Sequence, residues 1–461
     1  MKIKTVKQQM LSDLTTPVSI FLKLRERYAE VLLLESSDYS SIENSQSFIC
    51  FDSLKTLTAA EGMLSIVDQS SGHVEERKTD DIVADVDSFV QSFSIVDAET
   101  SPYSGVFGYT NFDAVRYFDT MPVDPKKASY DTPDIRYDFY RYVIVFDHFY
   151  ERLTVLEHLQ EGQESEIGKV INLIKKQDSQ TYFFQQRGDL QKNMSDTDFK
   201  QMVTICKQHC QRGDVFQVVP SRRFSQAFSG DEFNVYRALR AINPSPYLFY
   251  FDYGSYKIFG SSPEAQIVVK GVEAEIHPIA GTFKRTGDFV KDQQLAKELS
   301  ADPKENAEHT MLVDLARNDL SKHTRNVHVE KYKEVQYFSH VIHLTSVVKG
   351  TLLPNTTGYQ ILADTFPAGT LSGAPKYRAL QLIDSLEPTK RGYYGGGIGM
   401  ISLSGDVNHA IMIRSFFSTE GVLHCQAGAG IVIDSDQQKE MEEVTNKLAA
   451  LMQALQLAET L

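Results

Sequence analysis

The chain has 461 residues, and 47 basic against 61 acidic side chains leave a formal net charge of −14. At roughly 100–200 residues per domain, that length suggests two or three domains. The acidic balance leaves no surplus of Lys and Arg to replace counterions on a phosphate backbone, which argues against nucleic acid. No apolar run approaches the ~18 residues of a spanning helix. The opening MKIKTVKQQMLSDLT has no continuous apolar stretch of the signal-peptide kind. Four scattered cysteines, Cys50, Cys206, Cys210 and Cys425, do not form a disulfide framework. A reduced, cytoplasmic setting is expected.

In chain order, Thr16 caps a first helix with Pro17 at its first position and Val18, Phe21, Leu22 and Leu24 on its apolar face. A strand follows at Val31–Leu34, and a further one at Tyr142–Phe146. A polar stretch from about 159 to 195 marks a boundary, separating an expected N-terminal part, 1–185, from a second part, 190–461. The second part opens with a helix capped by Ser195 and Asp198 and closed by Gly213. A strand is predicted at Val215–Val219 and antiparallel hairpins between Tyr247 and Ile279. Asp302-Pro303 opens another helix. A long amphipathic helix from about Lys439 buries Met441, Val444, Leu448, Leu451 and Leu455. Strands grouped apart from helices favour an α+β fold, a large antiparallel sheet core flanked by helices.

The phosphate-loop, G-x-S-x-G and H-E-x-x-H motifs are absent, and Gly395–Gly399 lacks the last glycine of a dinucleotide fingerprint. What remains is carboxylates on helices and glycine-rich strand ends. Glu305 and Glu308 share one helix face, as do Glu440 and Glu443. Carboxylates from two helices could hold a hard cation such as Mg²⁺, although the spacing also fits solvated acidic first turns. PIAGT at 278–282, GTLSGAPK at 369–376 and QAGAG at 426–430 place small residues beside strands, where backbone N–H groups can approach an anion. Arg414 could grip a carboxylate through two parallel hydrogen bonds.

These motifs resemble the chorismate-utilising enzymes, and most closely the anthranilate synthase component I family. The matching text is GDVFQVVPSRR (213–223), SSPE (261–264), PIAGT, AEHTMLVDLARNDL (307–320), SHVIHL (339–344), GTLSGAPK, YYGGGIG (393–399) and QAGAGIVIDS (426–435). GYTNFDAVRYFD (108–119) and LLES (33–36) extend the likeness into the N-terminal part. The resemblance implies addition of ammonia to chorismate and loss of pyruvate, giving anthranilate. The ammonia would come from glutamine through a small amidotransferase subunit, in a heterotetramer of two large and two small chains. No G-x-C-x-G nucleophile turn is present in this chain to release it.

By the same resemblance Glu308 and Glu443 hold Mg²⁺, with Glu440 nearby. His343, Thr370, Glu264 and Glu305 fall at catalytic positions, Glu264 as general acid for the departing hydroxyl. Gly281, Thr282, Tyr394, Arg414, Gly428, Ala429 and Gly430 surround chorismate. The N-terminal part is regulatory, with Ser36, Pro246, Tyr247 and Leu248 binding L-tryptophan as feedback inhibitor. Relatives that add water carry Lys where this chain has Gln217, and aminodeoxychorismate synthases commonly carry Lys at Ala280; both positions favour anthranilate. Phe283, Lys284, Gln437 and Leu248 depart from the family's usual residues, and Pro220 interrupts a strand. An aminodeoxychorismate synthase component I, or a catalytically silent tryptophan or chorismate sensor, are the alternatives.

Overall fold

Two antiparallel arms meet at one long strand, Gln46–Ala60, in the computed structural model. It describes residues 1–36, 45–96, 102–121, 123–176, 180–337 and 341–461, with Thr282 by its backbone alone. Ser339 and His340 of the SHVIHL motif lie outside these. The first arm runs from Gln46–Ala60 through Ile135–Asp147 and Gly105–Thr110 to Gly397–Ser402, then through Val407–Ile411, Ala265–Lys270 and Glu273–Ile276 to Val341–Leu352. The second runs through Val31–Glu35, Tyr247–Asp252, Tyr256–Ser262, Ser415–Thr419, Val422–Gly428, Ser221–Gly230 and Phe184–Lys192. This is the expected large antiparallel core with flanking helices.

Strands from before residue 185 stand between the two arms of the C-terminal part. Gly105–Thr110 pairs with Gly397–Ser402, and Val31–Glu35 pairs with Tyr247–Asp252. Close approach explains the glycine at 108, where a Cβ would lie 1.9 Å from the Arg136 carbonyl oxygen. The expected hairpins between 247 and 279 form as two, 247–252 with 256–262 and 265–270 with 273–276. Between these two hairpins the chain crosses from one arm to the other. The strand predicted at Val215–Val219 shortens to Gln217–Val218; it does not extend through Pro220, which cannot donate a ladder hydrogen bond.

Helix starts follow their caps. Thr16 accepts from Ser19 N–H, Ser195 from Asp198 N–H, and Asp302 from the N–H groups of Lys304 and Glu305. The last helix, Gln437–Ala458, begins two residues earlier than expected because Asp436 is its cap. It buries Val444, Leu448, Leu451 and Leu455 in the larger apolar core, which all four cysteines except Cys50 also enter. No described helix is long and apolar enough to cross a membrane.

One buried ion pair ties several of these pieces together. Arg391 and Glu387 have side chains 1% and 4% exposed and meet at 2.5 and 3.0 Å. Arg391 also donates to the carbonyls of Leu371 (2.7 Å) and Val219 (2.6 Å), while Glu387 accepts from both the N–H and hydroxyl of Ser221 at 2.8 Å. Removing one partner strands the other charge in the interior. Arg391→Met is therefore expected to lower the unfolding free energy by about 3–5 kcal/mol, measured by urea titration. Adding Glu387→Gln removes the stranded charge but keeps an acceptor for Ser221, and should recover part of the loss. Equal losses in both variants would show that shape, not charge, carries the effect.

Candidate active site

Two crossings between the arms lie side by side. Glu264 occupies the passage from Tyr256–Ser262 to Ala265–Lys270, and Arg414 the passage back from Val407–Ile411 to Ser415–Thr419. They are laced to each other: Ile411 N–H donates to the Glu264 carbonyl at 3.0 Å, and Ser261 N–H to the Arg414 carbonyl at 3.1 Å. Arg414 holds a φ of +49°, uncommon for a residue with a Cβ. Its guanidinium makes no hydrogen bond among the described residues, and burial lowers its pKa against the favourable field of Glu264. Such a fork suits an incoming carboxylate.

Glu264 accepts a 3.0 Å hydrogen bond from the Thr370 hydroxyl. Burial pushes its carboxyl up to about 7, against the opposing effects of Thr370, Arg414 and Lys447. It can thus carry a proton near neutrality, which a general acid needs. Thr370 is fixed by close packing, since a Cβ on its neighbour Gly369 would lie 2.2 Å from Leu315 Cδ2.

Further round the recess, Gly281 adopts φ +71°, and a Cβ there would come within 3.1 Å of Glu305 Oε2. The Gly281 carbonyl accepts from His343 Nδ1 at 2.9 Å, and His343 pairs with Thr282 across the ladder. That bond assigns the Nδ1–H tautomer. Burial holds His343 down to about 4, so the ring is neutral at physiological pH.

Four carboxylates converge from two helices. Glu308, Glu305 and Glu440 all have raised pKa values, chiefly by burial, and Glu443 raises each further; Lys304 opposes this at all three and Lys447 at Glu308 and Glu440. Glu308 Oε1 accepts from Gln217 Nε2 at 3.1 Å, and Glu443 meets Lys447 at 2.8 Å. Lys447 also donates to the Gly428 carbonyl at 3.0 Å, and Gly428 N–H reaches the hydroxyl of Tyr394. Small residues are needed along this rim: a Cβ at Gly430 would lie 2.6 Å from Gln217 Nε2, and one at Gly428 2.5 Å from the Pro220 carbonyl oxygen. Ala429 is fully buried behind them.

These contacts link the expected catalytic, chorismate and metal residues to one another, while Ser36, Pro246, Tyr247 and Leu248 lie apart from them in the contacts described. Lys447 joins the cluster through Glu443 and the Gly428 carbonyl, and Gln217 through Glu308. Lys447 was visible as the i+4 partner of Glu443. Among the described residues no three acidic, imidazole or thiol side chains stand as a closed metal cage. Surplus buried negative charge nevertheless fits Mg²⁺, which takes one or two carboxylates and keeps waters or substrate oxygens for the rest. Glu308 and Glu443 are the residues that could hold it.

The departures fit locally. Phe283 packs on Ala296, Leu299, Ile342 and Leu344; Gln437 donates to Thr204 at 2.6 Å. Leu248 is 3% exposed in the core and pairs with Glu35 in the ladder, which brings Ser36 to the 246–248 segment. The side chain of Leu248 points into packing, so only its backbone is offered there. A separate cleft of about 480 Å³, near Arg25, Asp231, Glu232 and Lys257, pairs its own charges at 2.6 and 3.2 Å.

The profile described as chorismate binding enzyme matches residues 36–453. The chain belongs to that family. It is 37% identical to anthranilate synthase component 1 of Aquifex aeolicus, covering 98% of this chain and 94% of that one. It is 35% identical to the Lactococcus lactis protein of the same description, over 96% and 98%. The crystal structure of anthranilate synthase component I from Streptococcus pneumoniae superposes with a TM-score of 0.75 at 33% identity, covering 96% and 99%. Escherichia coli MenF, an isochorismate synthase, shares the fold at TM-score 0.77 and 19% identity. Within this chorismate-binding framework the Glu264 carboxyl titrates far from its unfolded value.

That shift has a sign that stability can report. The folded chain keeps the Glu264 proton up to about pH 7, whereas the ordinary carboxyl value is 4.5. Folding therefore takes up a proton between those values, and this group makes stability fall as pH rises through that window. Glu264→Gln should remove the slope, gaining stability relative to the parent at pH 8 compared with pH 4.5 in urea titrations. Parallel pH profiles for the two proteins would place the carboxyl in an ordinary, solvated state.

Proposed function

We infer that this chain converts chorismate and ammonia to anthranilate and pyruvate, as the large subunit of an anthranilate synthase. The observation that carries this is likeness along nearly the whole chain to component 1 proteins, 34–37% identical over at least 96% of it. The recess supports it. Arg414 and the backbone of Gly428–Gly430 grip the carboxylates of the substrate, with Gly281, Thr282 and Tyr394 shaping the walls. Glu264, held by Thr370, protonates the departing C4 hydroxyl. Neutral His343 is oriented through the Gly281 carbonyl for its catalytic role, and Glu305 stands over the same glycine.

Mg²⁺, held by Glu308 and Glu443 with Glu440 near, neutralises a substrate carboxylate when bound. Gln217 offers an amide where activation of water would need a base, and Ala280 has no nucleophile. Nitrogen therefore arrives as free ammonia, from a small glutamine amidotransferase subunit in a heterotetramer of two large and two small chains. The cytoplasm suits this chemistry and the buried free thiols. The N-terminal part, 1–185, is regulatory and the part from 190 to 461 catalytic. Feedback by L-tryptophan at Ser36, Pro246, Tyr247 and Leu248 requires a coupling free energy between the two sites.

The test is turnover by the purified chain with chorismate, Mg²⁺ and excess ammonium at alkaline pH. Anthranilate should form, disappear with EDTA and fall with tryptophan. Glu264→Gln should lower kcat by about 10²–10⁴ while chorismate still binds. Aminodeoxychorismate as product would show that Ala280 does not decide the outcome. No turnover by folded protein would point to a sensor.

A further inference from the structure

Glu264 and Thr370 also border a second, smaller space. Its volume is about 30 Å³, whereas one water needs roughly 10–15 Å³. Leu312, Leu315, Ala316 and Asp319 of the Pro303–Leu320 helix line it, together with Gln266 and Thr365. Asp319 lies about 16 Å along that helix from Glu308 at 1.5 Å per residue, so the space leads away from the carboxylate cluster.

Polar groups border it on several sides. Gln266 is 2% exposed, its Nε2 donates to the Thr365 carbonyl at 3.3 Å, and its own carbonyl oxygen accepts nothing among the described residues. The same Thr365 carbonyl accepts from Lys376 Nζ at 2.9 Å, and Lys376 pairs with Asp319 at 2.7 Å. Burial lowers the Lys376 pKa and raises that of Asp319, which favours the neutral form of each. Asp319 also feels the like charge of Asp364, which is bonded at 2.7 Å to the exposed His323. A buried carbonyl oxygen beside a space of this size is a usual anchor for ordered water.

We propose that this space holds one or two ordered waters, anchored on the Gln266 carbonyl oxygen, through which the Asp319–Lys376 pair returns a proton to Glu264 after each turnover. The inference rests on Glu264 as the acid of the proposed reaction. As the C4–O bond breaks, the Glu264 proton leaves with the hydroxyl as water. Ammonia bonded at C2 sheds one proton to solvent. Glu264 regains one from the cavity water, which is replenished through Lys376 and Asp319 from bulk, so the count closes. With Thr370 donating to Oε1, the proton returns at Oε2. Gln266 is a positioning residue, since it acts through the water.

Two variants test this by different routes. Gln266→Leu keeps the volume and removes the anchor; Ala316→Val fills the space without touching a polar group. With folding confirmed by thermal melts, rapid-quench kinetics with chorismate, Mg²⁺ and ammonium should show an unchanged first turnover in each. Steady-state kcat should fall about ten-fold at constant KM, with a larger solvent deuterium effect. Glu264→Gln should lose the first turnover itself. Equal losses in first turnover and steady state, or an unchanged steady state, would overturn the relay and leave the acid role standing. A full first turnover in Glu264→Gln would overturn the acid role and the relay together.

Discussion

Everything at the recess depends on the chain crossing twice between its two arms at adjacent points. Glu264 and Arg414 stand at those crossings, each with its backbone bonded to the other passage. A crossing residue leaves its ladder partners, so its side chain is not committed to either sheet face. Both groups are thereby free to point into the gap, while lacing at 3.0 and 3.1 Å keeps them from drifting. Opposite charges in such a gap lower each other's free energy only partly. The Glu264 carboxyl still sits near 7, because the loss of water outweighs the Arg414 field.

The arms are joined through strands that come early in the chain, which gives the N-terminal part a mechanical share in the site. Glu35 pairs with Leu248, Tyr247 pairs with Ser262, and two residues further on is Glu264. A ligand seated on Ser36 and Tyr247, as proposed for tryptophan, bears on the strand that ends at the crossing. On the other arm, Gly396 packs within 2.4 Å of the Thr110 carbonyl oxygen as measured from a Cβ position, and Gly392 donates to Asp113 at 2.6 Å. Both contacts brace the turn that carries Tyr394. Should tryptophan bind as proposed, these early strands are the part of the fold that would connect its site to the crossing.

Local signals in the sequence were reliable where local physics decides. Thr16, Ser195 and Asp302 cap the helices they were expected to cap, because a side-chain oxygen three residues from an orphan N–H is a short-range matter. The strand expected at Val215–Val219 ends short of Pro220, which cannot donate a ladder hydrogen bond. Less legible was the split of the 247–279 hairpins, since alternation marks strands but not which arm each joins. Gln266 escaped for a related reason. It sits where the ladder register shifts between Ala265 and Ile267, and a bulge is not visible in a pattern of apolar and polar residues. The convergence of Glu305, Glu308, Glu440 and Glu443 was suggested by spacing on two helices, but only the motifs, read as a family resemblance, singled out which pairs belong together.

The charges left over in the recess explain why the fold tolerates them. The carboxylates Glu305, Glu308 and Glu440 feel the ammonium group of Lys304, the latter two also that of Lys447, and Arg414 makes no hydrogen bond among the described residues. Raised carboxyl values on Glu305, Glu308 and Glu440 mean that the unliganded recess resists full ionisation. In the proposed function a divalent cation would relieve the carboxylates, and a dianionic substrate would relieve both the cation and Arg414. Binding energy is then drawn from a strain that folding has already met, through the cores on either side and the Arg391–Glu387 pair beneath the rim. If the site works as proposed, the acidic side and Arg414 would act on a dicarboxylate substrate with opposite sign, and a cation held by the carboxylates would favour its approach.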